Sequence, residues 1–434
     1  MTFATTVRAL AIPACLAISF TAHAMAAPAR ADDLKATGVF PVTTETTLVI
    51  RGVPGQIVVI TKPARELRFA SRAKDASGSP RPLAVSFSGA TVTMAPAAGA
   101  TLGEGTLRVE APAFFAVRVE AESGKVLVDG FAGAVAIVGK GTETRAQALT
   151  GTLDVNLEGG SLGLTNIGGA ATVRVRASCT LTATSLRASL DLNSQDSTVK
   201  VQGLGGACRV EAHGGSMQFG GTTAGGEFHL SESPLRLNQG RGDVTVVSDA
   251  PVTFADMIGA MRLDLDGGTL RGQGNQGPVK VRARRTDVLI SGISGELDLD
   301  VTRGKVAVQR VTGPVNAGVF AGDAQLLELQ GPLRLDMDGG NAEVSWTALP
   351  ADGDSDLKNH GGDIGVRFPG NASCRVSAKS SSGRITSDLP SVKTPPNATE
   401  AQGTIGQGKG PTVSIEADGN VRLSGGAAPP APAS

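Results

Sequence analysis

Residues 277–330 read GPVKVRARRTDVLISGIS, GELDLDVTRGKVAVQRVT and GPVNAGVFAGDAQLLELQ, three consecutive blocks of eighteen residues. In each block apolar side chains fall at positions 3, 5, 12, 14 and 17. Alternation at positions 3 to 5 is the signature of a strand with one buried face, and positions 12 and 14 mark a second such strand. Gly at position 1, and Gly or Asx near positions 8 to 10, supply corners where the backbone needs φ > 0 or close packing. A unit this short cannot bury its apolar face alone. Stacked units bury it against one another, each strand pairing with its equivalents above and below.

The same pattern extends in both directions. Consecutive unit starts run from Phe115 and Gly133 through Gly151, Gly169, Ala188, Gly206, Gly226, Gly242, Gly259, Gly277, Gly295 and Gly313 to Gly331, at spacings between 16 and 20 residues. With Ala and Cys counted, every residue at positions 3 and 5 is apolar, against 41% in the whole chain. The reading is therefore an all-β, single-chain parallel β-solenoid of ~18-residue turns. A left-handed hexapeptide helix also uses eighteen residues per turn, but it needs an apolar residue every six, and position 11 is usually polar (Lys125, Glu143, Ser161). Parallel crossovers are overwhelmingly right-handed, so a right-handed solenoid is expected.

The flanks organise around this body. Residues 1–31 hold a single early charge, Arg8, then ALAIPACLAISFTAHAMAA and two A-x-A patterns, Ala22-His23-Ala24 and Ala29-Arg30-Ala31. They read as a secretory signal peptide cleaved near 24–31, and they place the protein outside the cytoplasm, in the periplasm, at the cell surface or extracellular. Cys15 lies in a poor lipobox, because Pro13 interrupts it. Residues 33–112 carry strand-like runs such as TTLVIRG and GQIVVIT and are expected to form irregular β-rich turns and an N-terminal cap. The regular solenoid spans 113–348. A polar loop insertion is expected at 349–371, C-terminal turns with a loop at 391–411 over 372–424, and a disordered GGAAPPAPAS tail over 425–434.

Three stretches carry a family resemblance. TLRVEAPAFFAVRVEAESGKVLVDGFAGAVAIV opens the regular turns, the Gly-led units continue them, and GRITSDLP with GTIGQGKGPTVSIEADGNVRLSGG closes them. Over most of residues 40–424 the chain resembles the bacterial "putative adhesin" β-solenoid family of cell-envelope and exported proteins. That resemblance implies an adhesin-like, non-catalytic role and brings no catalytic residues with it.

A search for chemistry finds little. Gly272-x-Gly274-x-x-Gly277 matches a dinucleotide fingerprint, but it leads into a strand instead of opening a helix. Ser71-Arg-Ala-Lys74 matches an SxxK pattern without its partner motifs. Arg241-Gly-Asp243 spells an adhesion tripeptide at a corner. His213, His229 and His360 lack a second His at zinc-like spacing. Asp352, Asp354, Asp356 and Asp363 have the spacing of a calcium loop, but Leu357 stands where Gly is needed and Asp363 where a bidentate Glu is usual, so a solvated acidic loop is the preferred reading. Cys179, Cys208 and Cys374 are odd in number, and buried unpaired thiols are expected.

The neutral balance of 40 basic and 40 acidic residues, and aromatics at 3%, argue against nucleic acid as a partner. No stretch past the leader is apolar enough to span a bilayer. The sequence thus predicts a non-catalytic, exported scaffold or adhesin-like solenoid of the cell envelope, with no cofactor, whose partner is an unidentified envelope or surface polymer or protein. The alternative is a carbohydrate-active β-helix enzyme, a polysaccharide lyase or hydrolase, with residues 352–363 as its site. On the outward strands, Lys280, Arg282 and Arg284 lie between Arg262, Asp264 and Asp266 on one side and Asp298 and Asp300 on the other, a ladder expected to neutralise itself.

Overall fold

The computed structural model describes residues 36–42, 46–63, 65–72, 83–97 and 105–426. The expected leader, with Cys15, and residues 427–434 of the expected tail lie outside them. Among the described residues every regular element is a β-strand, and the strands stack into a parallel β-solenoid of about 14 turns. Among these residues no helix is long and apolar enough to cross a membrane.

Each turn contributes two strands joined by a corner. The register reproduces the sequence period: Val279 lies on Met261 and beneath Leu297, and Val288 lies between Leu270 and Val306. Positions 3, 5, 12, 14 and 17 point inward and form continuous columns. Val281, Leu299, Val308 and Leu326 are at most 1% exposed. Each such side chain contributes about 1.5–3 kcal/mol on burial. Glycines pack the corners: Gly277 has φ of 139°, and a Cβ there would come within 2.5 Å of the Gly259 carbonyl oxygen.

Two readings of the sequence need correction. Gly226 does not start a unit. It occupies position 3, because it pairs with Cys208 and Val244, so the period stays at eighteen on both sides. Phe228 at position 5 fills the core edge-on to Phe219, with centroids 5.1 Å apart, and leaves no room for a neighbour; a Cβ on residue 226 would meet the Cys208 sulfur at 2.2 Å.

The second correction concerns 349–371, which is not a loop insertion. It contains the strands Ser355–His360 and Ile364–Phe368, which continue the stack on Leu333–Asp338 and Ala342–Trp346. Only a short connection after Trp346 is extra, and it lengthens the register step to 22 residues (Leu335 to Leu357). Polar residues at inward positions hide this turn from a hydrophobic pattern. Ser355 accepts a hydrogen bond from the Leu333 N–H at 3.1 Å, and Asn359 donates to the carbonyls of Gly340 and Asp363. Trp346 closes the gap, stacking on Phe368 and donating its indole N–H to the Gly331 carbonyl at 3.1 Å.

At both ends the layer order departs from the chain order. The N-terminal turn, Thr47–Arg51 and Gly55–Thr61, is sandwiched between the turn of Ala116–Asp129 and a later pair of strands, Thr91–Pro96 and Gly105–Ala111. The C-terminal turn, Thr412–Ala417 and Val421–Gly425, slots between Ser355–Phe368 and the layer of Cys374–Ser380 and Ile385–Ser387. Antiparallel strands then close the exposed edges. Glu66–Ser71 pairs with Gly105–Ala111, and Glu400–Ile405, inside the stretch expected as a loop at 391–411, pairs with Cys374–Ser380. Such strands end the parallel ladder instead of offering it to another chain.

Candidate functional site

Outward residues stand in straight columns on two faces of the rod. The first face, built from positions 4, 6 and 8, carries interleaved charges. Arg174 reaches Asp154 at 3.3 Å, Arg176 reaches Glu158 at 3.2 Å, and Arg209 pairs with Glu211 at 3.0 Å. In the charged ladder the register aligns Asp264, Arg282 and Asp300, Lys280 pairs with Asp298, and Arg285 reaches Asp266 at 2.7 Å.

The second face, from positions 11, 13 and 15, is different in kind. One of its columns runs Arg145, Gly163, Thr182, Lys200, Gln218, Arg236, Thr253, Arg271 in unbroken register. Hydroxyl and amide residues flank it, with Ser161, Thr180, Thr198 and Ser216 on one side and Thr165, Thr184, Gln202 and Asn238 on the other. Nothing in the sequence singled out this column.

The four aspartates proposed as a calcium loop are not brought together. Asp352 is exposed in the connection after Trp346. Asp354 accepts the Thr412 N–H at 2.7 Å, Asp356 lies on an outward strand with Lys358 at 3.3 Å, and Asp363 sits at the opposite corner. There Asp363 belongs to a ladder in which each side-chain oxygen accepts the backbone N–H of the next layer: Asp323 from Asn341 (3.0 Å), Asn341 from Asp363 (3.1 Å), Asp363 from Asn420 (2.7 Å) and Asn420 from Arg384 (3.2 Å). These carboxylates are spent on the fold. Among the described residues no three His, Cys, Asp or Glu side chains converge as metal ligands.

The other motifs resolve likewise into packing. Gly272 faces the Phe254 ring, and the 272–277 run lies in the strand Thr269–Gln276 and the corner after it. Ser71 is buried at the end of Glu66–Ser71, and Lys74 lies outside the described residues. Asp243 of the Arg-Gly-Asp tripeptide accepts the Ala260 N–H at 3.0 Å, beside a shallow depression of about 300 Å³. His213 and His229 are exposed on the first face, next to Ser231 and Glu211 respectively, and His360 aligns with Asp338. Cys179, Cys208 and Cys374 are free and buried. Burial pushes their thiols up, to about 11, 12 and 11 respectively.

Comparison with known proteins finds a family model and a similar solved structure. The model of the Toastrack DUF4097 family matches residues 188–424. No curated protein matches the chain. A crystal structure from Clostridium sporogenes ATCC 15579, described as a "putative cell adhesion protein", aligns over 90% of this chain and 99% of that one at 7% identity. Its TM-score is 0.14.

Proposed function

The chain belongs to the Toastrack DUF4097 family, and from that premise we propose that it is an exported, non-catalytic module of the bacterial cell envelope that acts in adhesion or as a scaffold. The observation that carries this reading is the pair of long faces, each presenting the same kind of outward position at every turn. A ruled surface of this kind makes many weak contacts at once. Its avidity grows with the number of engaged layers and not with the strength of any single site. The leader-like composition of residues 1–31 supports export.

The test is fractionation of a C-terminally tagged full chain in a Gram-negative host, followed by incubation of the purified protein with envelope polysaccharides. The expected outcome is a chain shortened near 24–31, in the periplasmic or surface fraction, that binds envelope material and releases no reducing sugar. An intact cytoplasmic chain would refute export. Time-dependent release of sugar fragments would refute the non-catalytic reading.

A further inference from the structure

The second face has an electrostatic character that the rest of the rod lacks. Its central column places Arg145, Lys200, Arg236 and Arg271 on one line, successive cations standing three, two and two layer steps apart. At a strand spacing of about 4.8 Å these steps are roughly 14, 10 and 10 Å. Among the described residues no carboxylate lies within ion-pair reach of any of the four, whereas cations on the first face are repeatedly paired. From Ser161 to Gln276 the three strand columns of this face hold no acidic residue. Glu143, in the same strand as Arg145, is engaged by Lys125 of the preceding layer at 2.8 Å.

On the same face Asp129 flanks Arg145 from the preceding layer and Asp287 flanks Arg271 from the next, and the other nearby acids sit in the corners. Asp196, Glu232 and Asp249 border one side, and Asp256 the other. Asp249 is committed to its own corner, where the Glu232 N–H at 2.6 Å and the Ser231 hydroxyl at 2.9 Å hold it below the usual aspartate range. The strip between the corners is thus a flat track, cationic down its middle and flanked mainly by hydroxyl and amide groups, with Pro234, Pro251, Gly220 and Ala255 interrupting them.

We infer that this track, Arg145–Lys200–Arg236–Arg271, binds a linear acidic polysaccharide of the polyuronate kind, laid along the rod axis. The inference rests on the reading of the protein as a surface-binding module and names its ligand class. Cations on a straight line match an extended polymer with carboxylates at regular intervals, and a roughly 10 Å step would meet the carboxylate of every second sugar of a polyuronate. Three of the four are exposed, free to meet carboxylates, and the arginines can do so bidentately. The flanking Thr, Ser, Gln and Asn side chains offer donors and acceptors to sugar hydroxyls. No aromatic side chain lies on the track to stack a nucleic acid base, so a polynucleotide is the poorer fit.

The experiment is binding of the purified full chain to immobilised polygalacturonate, with dextran, the galacturonate monomer and a poly-dT oligonucleotide as comparators. The polymer is expected to bind at least tenfold tighter than any of these, and binding is expected to weaken as salt is raised. The exposed double variant Arg236→Gln/Arg271→Gln is expected to lose tenfold or more in affinity with an unchanged melting temperature. The first-face variant Arg174→Gln/Arg176→Gln is expected to bind as the parent does. Equal loss in both variants, no loss in the track variant, or oligonucleotide binding as tight as polyuronate would overturn the inference. If the track variant still binds envelope material as the parent does, the track assignment fails while the proposed function stands. If the chain binds polygalacturonate but remains intact in the cytoplasm, the proposed function fails while the track stands.

Discussion

Truncation after Pro411 removes the turn formed by Thr412–Ala417 and Val421–Gly425, which is last in the chain but second to last in the stack. Val413, Ile415, Val421 and Leu423 are at most 1% exposed, so roughly 6–12 kcal/mol of apolar burial leaves with them. Both interfaces of that layer vanish together, and with them its hydrogen-bond ladders to residues 355–368 and 374–387. The cap at 374–405 then has no layer in register beneath it. The loss approaches the whole stability of an ordinary domain. A solenoid couples chiefly nearest neighbours, however, so damage should remain local. Hydrogen exchange on the truncated chain is expected to show full loss of protection over 374–405 and near-parental protection over 115–345. A layer order following the chain order would predict the opposite, because 374–387 would still sit on 355–368. Retained protection at 374–387 therefore refutes the interleaved end.

Three further outcomes follow from the same geometry. Val281→Asp or Leu299→Asp should cost several kcal/mol in thermal melts, because each buries an unpaired charge, whereas Lys280→Ser or Asp298→Ser should cost under about 1 kcal/mol, their ion pair being partly exposed; equal losses would invalidate the inward and outward assignment. Deleting residues 277–294 should leave a soluble rod one turn shorter, and deleting only 277–285 should not, since nine residues superimpose unlike positions; equal solubility of the two would count against the eighteen-residue turn. The thiols of Cys179, Cys208 and Cys374, raised by burial to about 11, 12 and 11, stay protonated in the native state after they ionise in the unfolded chain. Stability should therefore fall above pH 9 by up to about 1.4 kcal/mol per pH unit per thiol, and a triple Cys→Ala variant should lack that slope; the same slope in the variant would show that other groups set it.

The inward columns could be read directly because burial selects residue type at fixed positions, and Val279, Leu297 and Val315 state their own register. Layer order at the ends could not. TVSIEA and CRVSAKS carry the same alternation, and alternation says which side of a strand is buried but not which strand lies beside it. The turn at 355–368 escaped for a different reason. Ser355 and Asn359 satisfy inward positions by hydrogen bonding, so hydropathy goes silent where packing continues.

The cationic track shows why a binding face on a solenoid resists reading from sequence. Arg145, Lys200, Arg236 and Arg271 are separated by 55, 36 and 35 residues, and no local motif joins them. They align only because the second strands step by 19 residues from Gly163 to Thr182 and by 17 from Arg236 to Thr253. A rigid count of eighteen drifts by one residue after the first of these steps, and a one-residue drift exchanges the outward face for the core. The four cations are thus scattered in the sequence and collinear in the fold, and the collinearity is supplied wholly by the backbone ladder. A substitution that shifts the register between 163 and 182 would break the track without touching any of its charges.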